Sequence, residues 1–142
     1  MSKEFDTNCV FCKIVDGVIP SNKIYEDDDV LAFLDVNPVT KGHALVVSKK
    51  HFDTFLSCPK EIMNKVMNVA QRIGQIDVAV LGAKGVNIIT NCYPSAGQSV
   101  PHFHVHVIPR YDATDGFKVE YNTKQDINLP SVLDTFKKEF SK

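Results

Sequence analysis

Short apolar runs and turn clusters dominate the first part of the chain. An extended segment ends in Ile24-Tyr25-Glu26, an acidic turn Asp27-Asp28-Asp29 follows, and Val30-Leu31-Ala32-Phe33-Leu34 predicts a strand closed by Asp35-Val36-Asn37-Pro38. Gly42 opens a second strand, His43-Ala44-Leu45-Val46-Val47, which ends at a basic turn, Lys49-Lys50-His51. From Pro59 the period changes. Ile62, Val66, Val69, Ile73 and Ile76 recur at spacings of three and four, which predicts an amphipathic helix lying on a sheet and ending near Gly82 and Gly85. Val86 to Asn91 predicts a further strand, Pro94 to Gly97 a loop, and His102 to Pro109 a last strand. Residues 111–128 are polar and without period, whereas Val132, Leu133, Phe136 and Phe140 restore helical spacing over Leu129 to Phe140, with Pro130 suited to a first turn.

Strand, strand, helix, strand, strand is not the regular alternation of a doubly wound fold. It predicts an α+β domain with an antiparallel sheet. At 142 residues, without an internal repeat or linker, the chain 1–142 is expected to form a single domain.

Composition narrows the chemistry. With 44% hydrophobic and 23% charged residues, the chain can bury a core without disulfide staples. Sixteen Lys and Arg against seventeen Asp and Glu leave a net charge of −1, which excludes the broad cationic footprint of a nucleic-acid binder and favours small-molecule chemistry. The opening MSKEFDTNC has no apolar run, and no later stretch is long enough to span a bilayer, so no leader and no membrane contact are expected and a cytoplasmic location follows. In that compartment the four cysteines are expected as thiols or metal ligands. Cys9-Val-Phe-Cys12 brings two of them close enough to share a tetrahedral ion, which is half a zinc site; metal, redox and bystander readings all remain open for such a pair alone. Cys58 and Cys92 match no motif.

Three of the five histidines lie at His102, His104 and His106. On a strand these side chains share one face, and Phe103, Val105 and Val107 fill the other. Cα atoms two residues apart are separated by roughly 6.6 Å and those four apart by roughly 13 Å. Metal–nitrogen bonds of about 2 Å then prevent His102 and His106 from meeting at one ion. The three imidazoles must divide their labour.

The run His102 to Ile108 resembles the histidine triad (HIT) signature, in which three histidines alternate with apolar residues and two more apolar residues follow. Phe11-Cys12-Lys13-Ile14, Ile19-Pro20, Tyr25-Glu26-Asp27, Leu31-Ala32-Phe33-Leu34-Asp35, Pro38, Gly42-His43, Lys49-Lys50-His51, Asn91 and Gly97-Gln98-Ser99-Val100 are similar to the small Hint-type branch. The likeness covers about residues 9–110, and the extension 111–142 carries no motif.

The resemblance implies a HIT-like fold with a five-stranded antiparallel sheet, a long helix and a C-terminal helix, assembled as a homodimer. It implies an enzyme in which His104 attacks the α-phosphorus of a nucleoside 5′-phosphoramidate, forms a covalent nucleotidyl-histidine and releases a nucleoside monophosphate. His106 and Ser99 would meet the leaving group and phosphate, and Gly97, Gln98, Ser99 and Val100 would form the phosphate loop. Asp35 would accept from the ribose hydroxyls, Asn91 would contact phosphate or ribose, and Phe11, Ile14, Ile19, Phe33 and Leu45 would enclose a purine. In the zinc-containing branches, the positions of Cys9, Cys12, His51 and His102 hold a structural Zn²⁺. Two other readings stay open: a dinucleoside polyphosphate hydrolase of the Fhit-like branch, and a nucleotide-binding regulatory or scaffold module.

Overall fold

A run such as Val30-Leu31-Ala32-Phe33 places apolar side chains on both faces of a strand, so the sheet that contains it needs cover on both sides. The computed structural model, which describes residues 5–142, provides that cover; Met1 to Glu4, the start of the N-terminal stretch read above, lie outside the described residues. The elements follow in the order α1 (Val10–Val15), β1 (Lys23–Glu26), β2 (Val30–Leu34), β3 (Ala44–Ser48), α2 (Lys60–Ala79), β4 (Gly85–Ile89), β5 (His104–Arg110) and α3 (Leu129–Phe140). The five strands form one antiparallel sheet in the order β1-β2-β3-β5-β4. The expected fold class is the observed one.

Each face has its own core. Beneath α2, Val30, Ala32, Ala44, Val46, Val105 and Val107 pack against Val66, Ala70 and Ile73. On the opposite face Leu31, Phe33, Leu45 and Val47 pack against Cys9, Phe11, Cys12 and Ile14. Each Val, Leu, Ile or Phe among them contributes roughly 1.5–3 kcal/mol by leaving water. The alternation along β5 follows directly: Val105 and Val107 face α2, while His104 and His106 face the α1 side, opposite Val47 and Leu45 in the β3 register.

Several boundaries differ from the sequence expectation. The last strand begins at His104, and His102 lies in the preceding bend, where its N–H donates to Val100 O at 2.8 Å. Gly85 starts β4 rather than ending α2, which stops at Ala79. The strand expected to reach Asn91 ends at Ile89, and Pro94–Ala96 forms one 3₁₀ turn inside the expected loop. The six-residue α1 is too short to show a period in the sequence; Phe11, Cys12 and Ile14 hold it by burial, and Cys9 Sγ accepts from Cys12 N–H at its start. Gly42 turns the chain into β3 with φ 95°, and a Cβ there would lie 2.9 Å from Leu81 Cδ1.

The sheet edges are unlike. All four residues of β1 are exposed, and its register with β2 shifts between Lys23 and Tyr25; β4 pairs regularly with β5 from Gly85 to Ile89. The C-terminal helix has the expected bounds, yet none of its residues is buried. Among the described residues no helix is long and apolar enough to cross a membrane.

One carboxylate sits on the buried stripe of α2. Asp77 is 2% exposed, follows Val66, Ala70 and Ile73 on that face, and has no hydrogen-bond partner for Oδ2 among the described residues. Burial raises its pKa from 3.8 to about 6. The native state therefore binds the proton more tightly than the unfolded chain, and stability falls as pH rises from about 4 to about 6. Asp77→Asn is expected to raise unfolding free energy by on the order of 1–2 kcal/mol at about pH 8, with little gain at about pH 4.5. Urea unfolding at the two pH values checks this, and an equal gain at both would show that charge is not the cause.

Candidate active site

The bend before β5 sends neighbouring histidines to different work. His102 is fully buried and its Nε2–H donates to Ser48 O at 2.6 Å, which leaves the Nδ1 lone pair facing Cys9 Sγ at 3.3 Å and Cys12 Sγ at 3.5 Å. His51 repeats the arrangement: Nε2–H donates to Asp53 Oδ1 at 2.9 Å, and Nδ1 faces Cys12 Sγ at 3.3 Å. The four donor atoms lie within 4.8 Å of one another, and all four residues are buried. A tetrahedral ion with metal–sulfur bonds of about 2.3 Å and metal–nitrogen bonds of about 2.0 Å separates sulfur from nitrogen by about 3.5 Å, so the donor set fits. Acceptors behind both imidazoles fix their tautomers and orient them as ligands. Burial raises the pKa of the Cys12 thiol and lowers that of His102 to about 4, so a cation is what would stabilise thiolate here. Cys9, Cys12, His51 and His102 could hold a metal ion.

His104 points elsewhere. Its Nδ1–H donates to the carbonyl of His102 at 2.7 Å, and the edge of Phe11 meets its ring at 4.8 Å between centroids. Burial lowers its pKa, so the ring is neutral and Nε2 keeps its lone pair. His104 and His106, with ring centroids 5.1 Å apart, line a cleft of about 370 Å³ together with Phe11, Ile14, Phe33 and Leu45. Ile19, Asp35, Ser99 and Val100 also line it.

Asn91, Gly97 and Gln98 are not among the described residues lining this cleft. Gln98 is instead a loop tie, its Nε2 donating to Asp53 O at 2.7 Å and its Oε1 accepting from Tyr93 N–H at 2.8 Å. Asn91 Nδ2 reaches Gly97 O at 3.5 Å. Asp35 serves two neighbours. Oδ1 accepts from Asn37 N–H at 2.9 Å within the turn, and Oδ2 lies 3.6 Å from His43 Nε2.

His43 is the residue that sequence reasoning left without a role. Val39 N–H donates to its Nδ1 at 3.2 Å, so the proton of this neutral ring must reside on Nε2, 3.0 Å from His106 Nδ1. His106 thereby accepts at Nδ1 and keeps Nε2–H as a donor. Burial lowers the pKa of both rings, that of His106 to about 4 with the nearby His104 and His43 adding to the effect. Donor atoms of Asp35, His43 and His106 also converge within 4.8 Å, yet His43 has its single lone pair committed to Val39. Val39, His43 and His106 therefore form a hydrogen-bond relay, with the Asp35 carboxylate beside the His43 ring at 3.6 Å. The only sequence signal for it was His43 standing after the turn glycine.

An ion held by all four donors would have no open coordination position, and apart from that cluster the cleft presents a pair of neutral imidazoles. Such a layout sets an imidazole lone pair and an imidazole N–H side by side in one apolar cleft. The chain belongs to the HIT family: the HIT domain profile matches residues 16–113. A HIT family protein from Bacillus anthracis superposes with TM-score 0.87 at 39% identity, covering 95% of this chain and 96% of that one. A Zn-bound histidine triad family protein from Mycobacterium smegmatis superposes with TM-score 0.71 at 38% identity, covering 84% of each chain. Adenylylsulfatase HINT3 of Arabidopsis thaliana is 37% identical over 109 residues, 77% of this chain and 55% of that protein.

Metal loading tests the cluster. Equimolar Co²⁺ added to the metal-depleted full chain is expected to give the visible bands of a tetrahedral thiolate site. Cys12→Ser is expected to lose them and to lower the Tm of the loaded protein by roughly 5–10 °C. A Co²⁺ spectrum without thiolate bands would overturn the assignment.

Proposed function

We propose that the chain hydrolyses nucleoside 5′-phosphoramidates at the α-phosphorus through a nucleotidyl group carried on His104. The observation that supports this most directly is the hydrogen bond from His104 Nδ1–H to the His102 carbonyl, which holds the opposite lone pair in the cleft beside the free Nε2–H of His106. The apolar cleft suits a purine base, Asp35 on its wall suits the ribose hydroxyls, and Ser99 and Val100 suit the phosphate.

In the first step His104 Nε2 bonds to phosphorus as the bond to the leaving nitrogen breaks. His106 Nε2–H donates to the departing group while negative charge develops there. Water then attacks phosphorus as the bond to His104 breaks, its proton replacing the one that His106 passed to the leaving nitrogen, and the nucleoside monophosphate departs with both imidazoles back in their starting tautomers. The kinship with an adenylylsulfatase supports chemistry at the α-phosphorus with an acidic leaving group as well. Purine nucleotide is thus the substrate class in this reading.

The ion at Cys9, Cys12, His51 and His102 is proposed to be structural zinc, which when bound adds folding energy and ties α1 to the start of β5. The kinship with a Zn-bound protein supports it. A homodimer belongs to the same proposal, supported by the free β4 edge and by Val78 and Ile88, both exposed beside it.

His104→Ala is expected to lower turnover of an adenosine phosphoramidate by roughly a thousandfold or more while adenosine monophosphate still binds. Acid quenching of the wild-type reaction should yield a phosphorus adduct on the peptide containing His104. An adduct on another residue, or unchanged turnover in the variant, would refute the assignment. Adenosine phosphosulfate and a dinucleoside tetraphosphate, assayed alongside, rank the leaving groups.

A further inference from the structure

The stretch after β5 has no regular secondary structure, yet it is tied down residue by residue. Arg110, at the end of β5, donates from Nη1 to Asn87 Oδ1 at 2.7 Å, from Nε to Asp115 Oδ2 at 3.0 Å and from Nη2 to Phe117 O at 2.7 Å. Its guanidinium also lies 5.3 Å from the centroid of the Phe117 ring. Asp115 Oδ2 accepts a second bond, from Tyr111 N–H at 3.0 Å, and Tyr111 Oη donates to Lys41 O at 2.6 Å. Residues 111–117 thus form a strap fixed to β5 and laid against the turn that joins β2 to β3.

At the crossing point the strap touches the relay. Gly116 N–H donates to Val39 O at 2.8 Å, and Val39 N–H donates to His43 Nδ1 at 3.2 Å. A Cβ on Gly116 would stand 2.7 Å from Val39 O and 3.3 Å from Val39 Cα. Those are backbone atoms without freedom to swing aside, so only glycine lets the strap come this close. Val39 is therefore held from one side by the strap and holds His43 on the other.

We infer that residues 111–117 position the relay, with Gly116 as the positioning residue that fixes the tautomer of His43 through Val39. The inference rests on the proposed function for its kinetic consequence and on geometry alone for its tautomeric one. Moving Val39 weakens its bond to Nδ1, lets the proton of His43 exchange between the two ring nitrogens, and removes the constraint that leaves His106 Nε2–H facing the cleft.

The test uses the full chain loaded with metal. In ¹⁵N imidazole spectra the wild type should show His43 protonated at Nε2 alone, and Gly116→Ala should show a mixture of tautomers. With adenosine phosphoramidate, Gly116→Ala should lower kcat roughly tenfold and leave KM within about twofold. In a His43→Ala background the same substitution should have no further effect on kcat, because the group it acts through is gone. Should Gly116→Ala fail to fold, Asp115→Asn loosens the strap without a clash and should show the same signature in weaker form. A single Nε2–H tautomer retained in the folded variants, or equal fold-losses with and without His43, overturns the inference. Absence of turnover in the wild type sinks the proposed function instead, and the tautomer spectrum then decides the strap by itself.

Discussion

One carbonyl group joins the two halves of the site. His102 gives its ring to the cysteine cluster and its backbone oxygen to His104, 2.7 Å away. Any displacement of the cluster therefore moves the acceptor that decides which nitrogen of His104 carries the proton. In the proposed reaction the cluster supplies position and the cleft supplies the reacting groups. It also explains why a bend, rather than a continued strand, precedes His104, since a pleated backbone would have held the His102 ring beside its neighbour and away from Cys9 and Cys12.

Burial sets the protonation states that this division needs. His43, His102, His104 and His106 all have lowered pKa values with desolvation as the leading cause, so each enters neutral with one donor and one acceptor nitrogen. Backbone groups then choose which nitrogen is which: Val39 N–H for His43, Ser48 O for His102 and His102 O for His104. Side chains alone could not enforce this order, because imidazoles facing one another satisfy either arrangement equally well. The sheet supplies the rigid frame, and the same frame tolerates the unpaired carboxylate oxygen of Asp77 on its far side.

The strands were legible because Val30 to Leu34 and the alternation from His104 to Val107 carry strong patterns, and α2 because its apolar period, from Ile62 to Ile76, runs through most of a 20-residue helix. The cluster was legible in part: the spacing of Cys9 and Cys12 announces a ligand pair, while His51 and His102 came only through family likeness. What escaped was whatever the backbone does. α1 is held by tertiary burial rather than by propensity. The strand was expected to include His102, because spacing records which side chains alternate but not where a bend interrupts them. Val39 acts through main-chain groups that every residue possesses, and the glycine that meets it at position 116 stands in a polar stretch without period, so no pattern announces the contact. Gln98 and Asn91, expected as ligand contacts, turn their amides to backbone groups of Asp53, Tyr93 and Gly97, and spacing does not record where an amide points.

The two margins of the sheet differ in what they can recruit. At β1 the register shift spoils the even spacing of donors and acceptors that an incoming strand would need, and a lysine opens that strand. At β4 the ladder is regular. Two molecules that meet through β4 each consume their one serviceable margin, so association terminates at a closed pair and cannot propagate into a fibre.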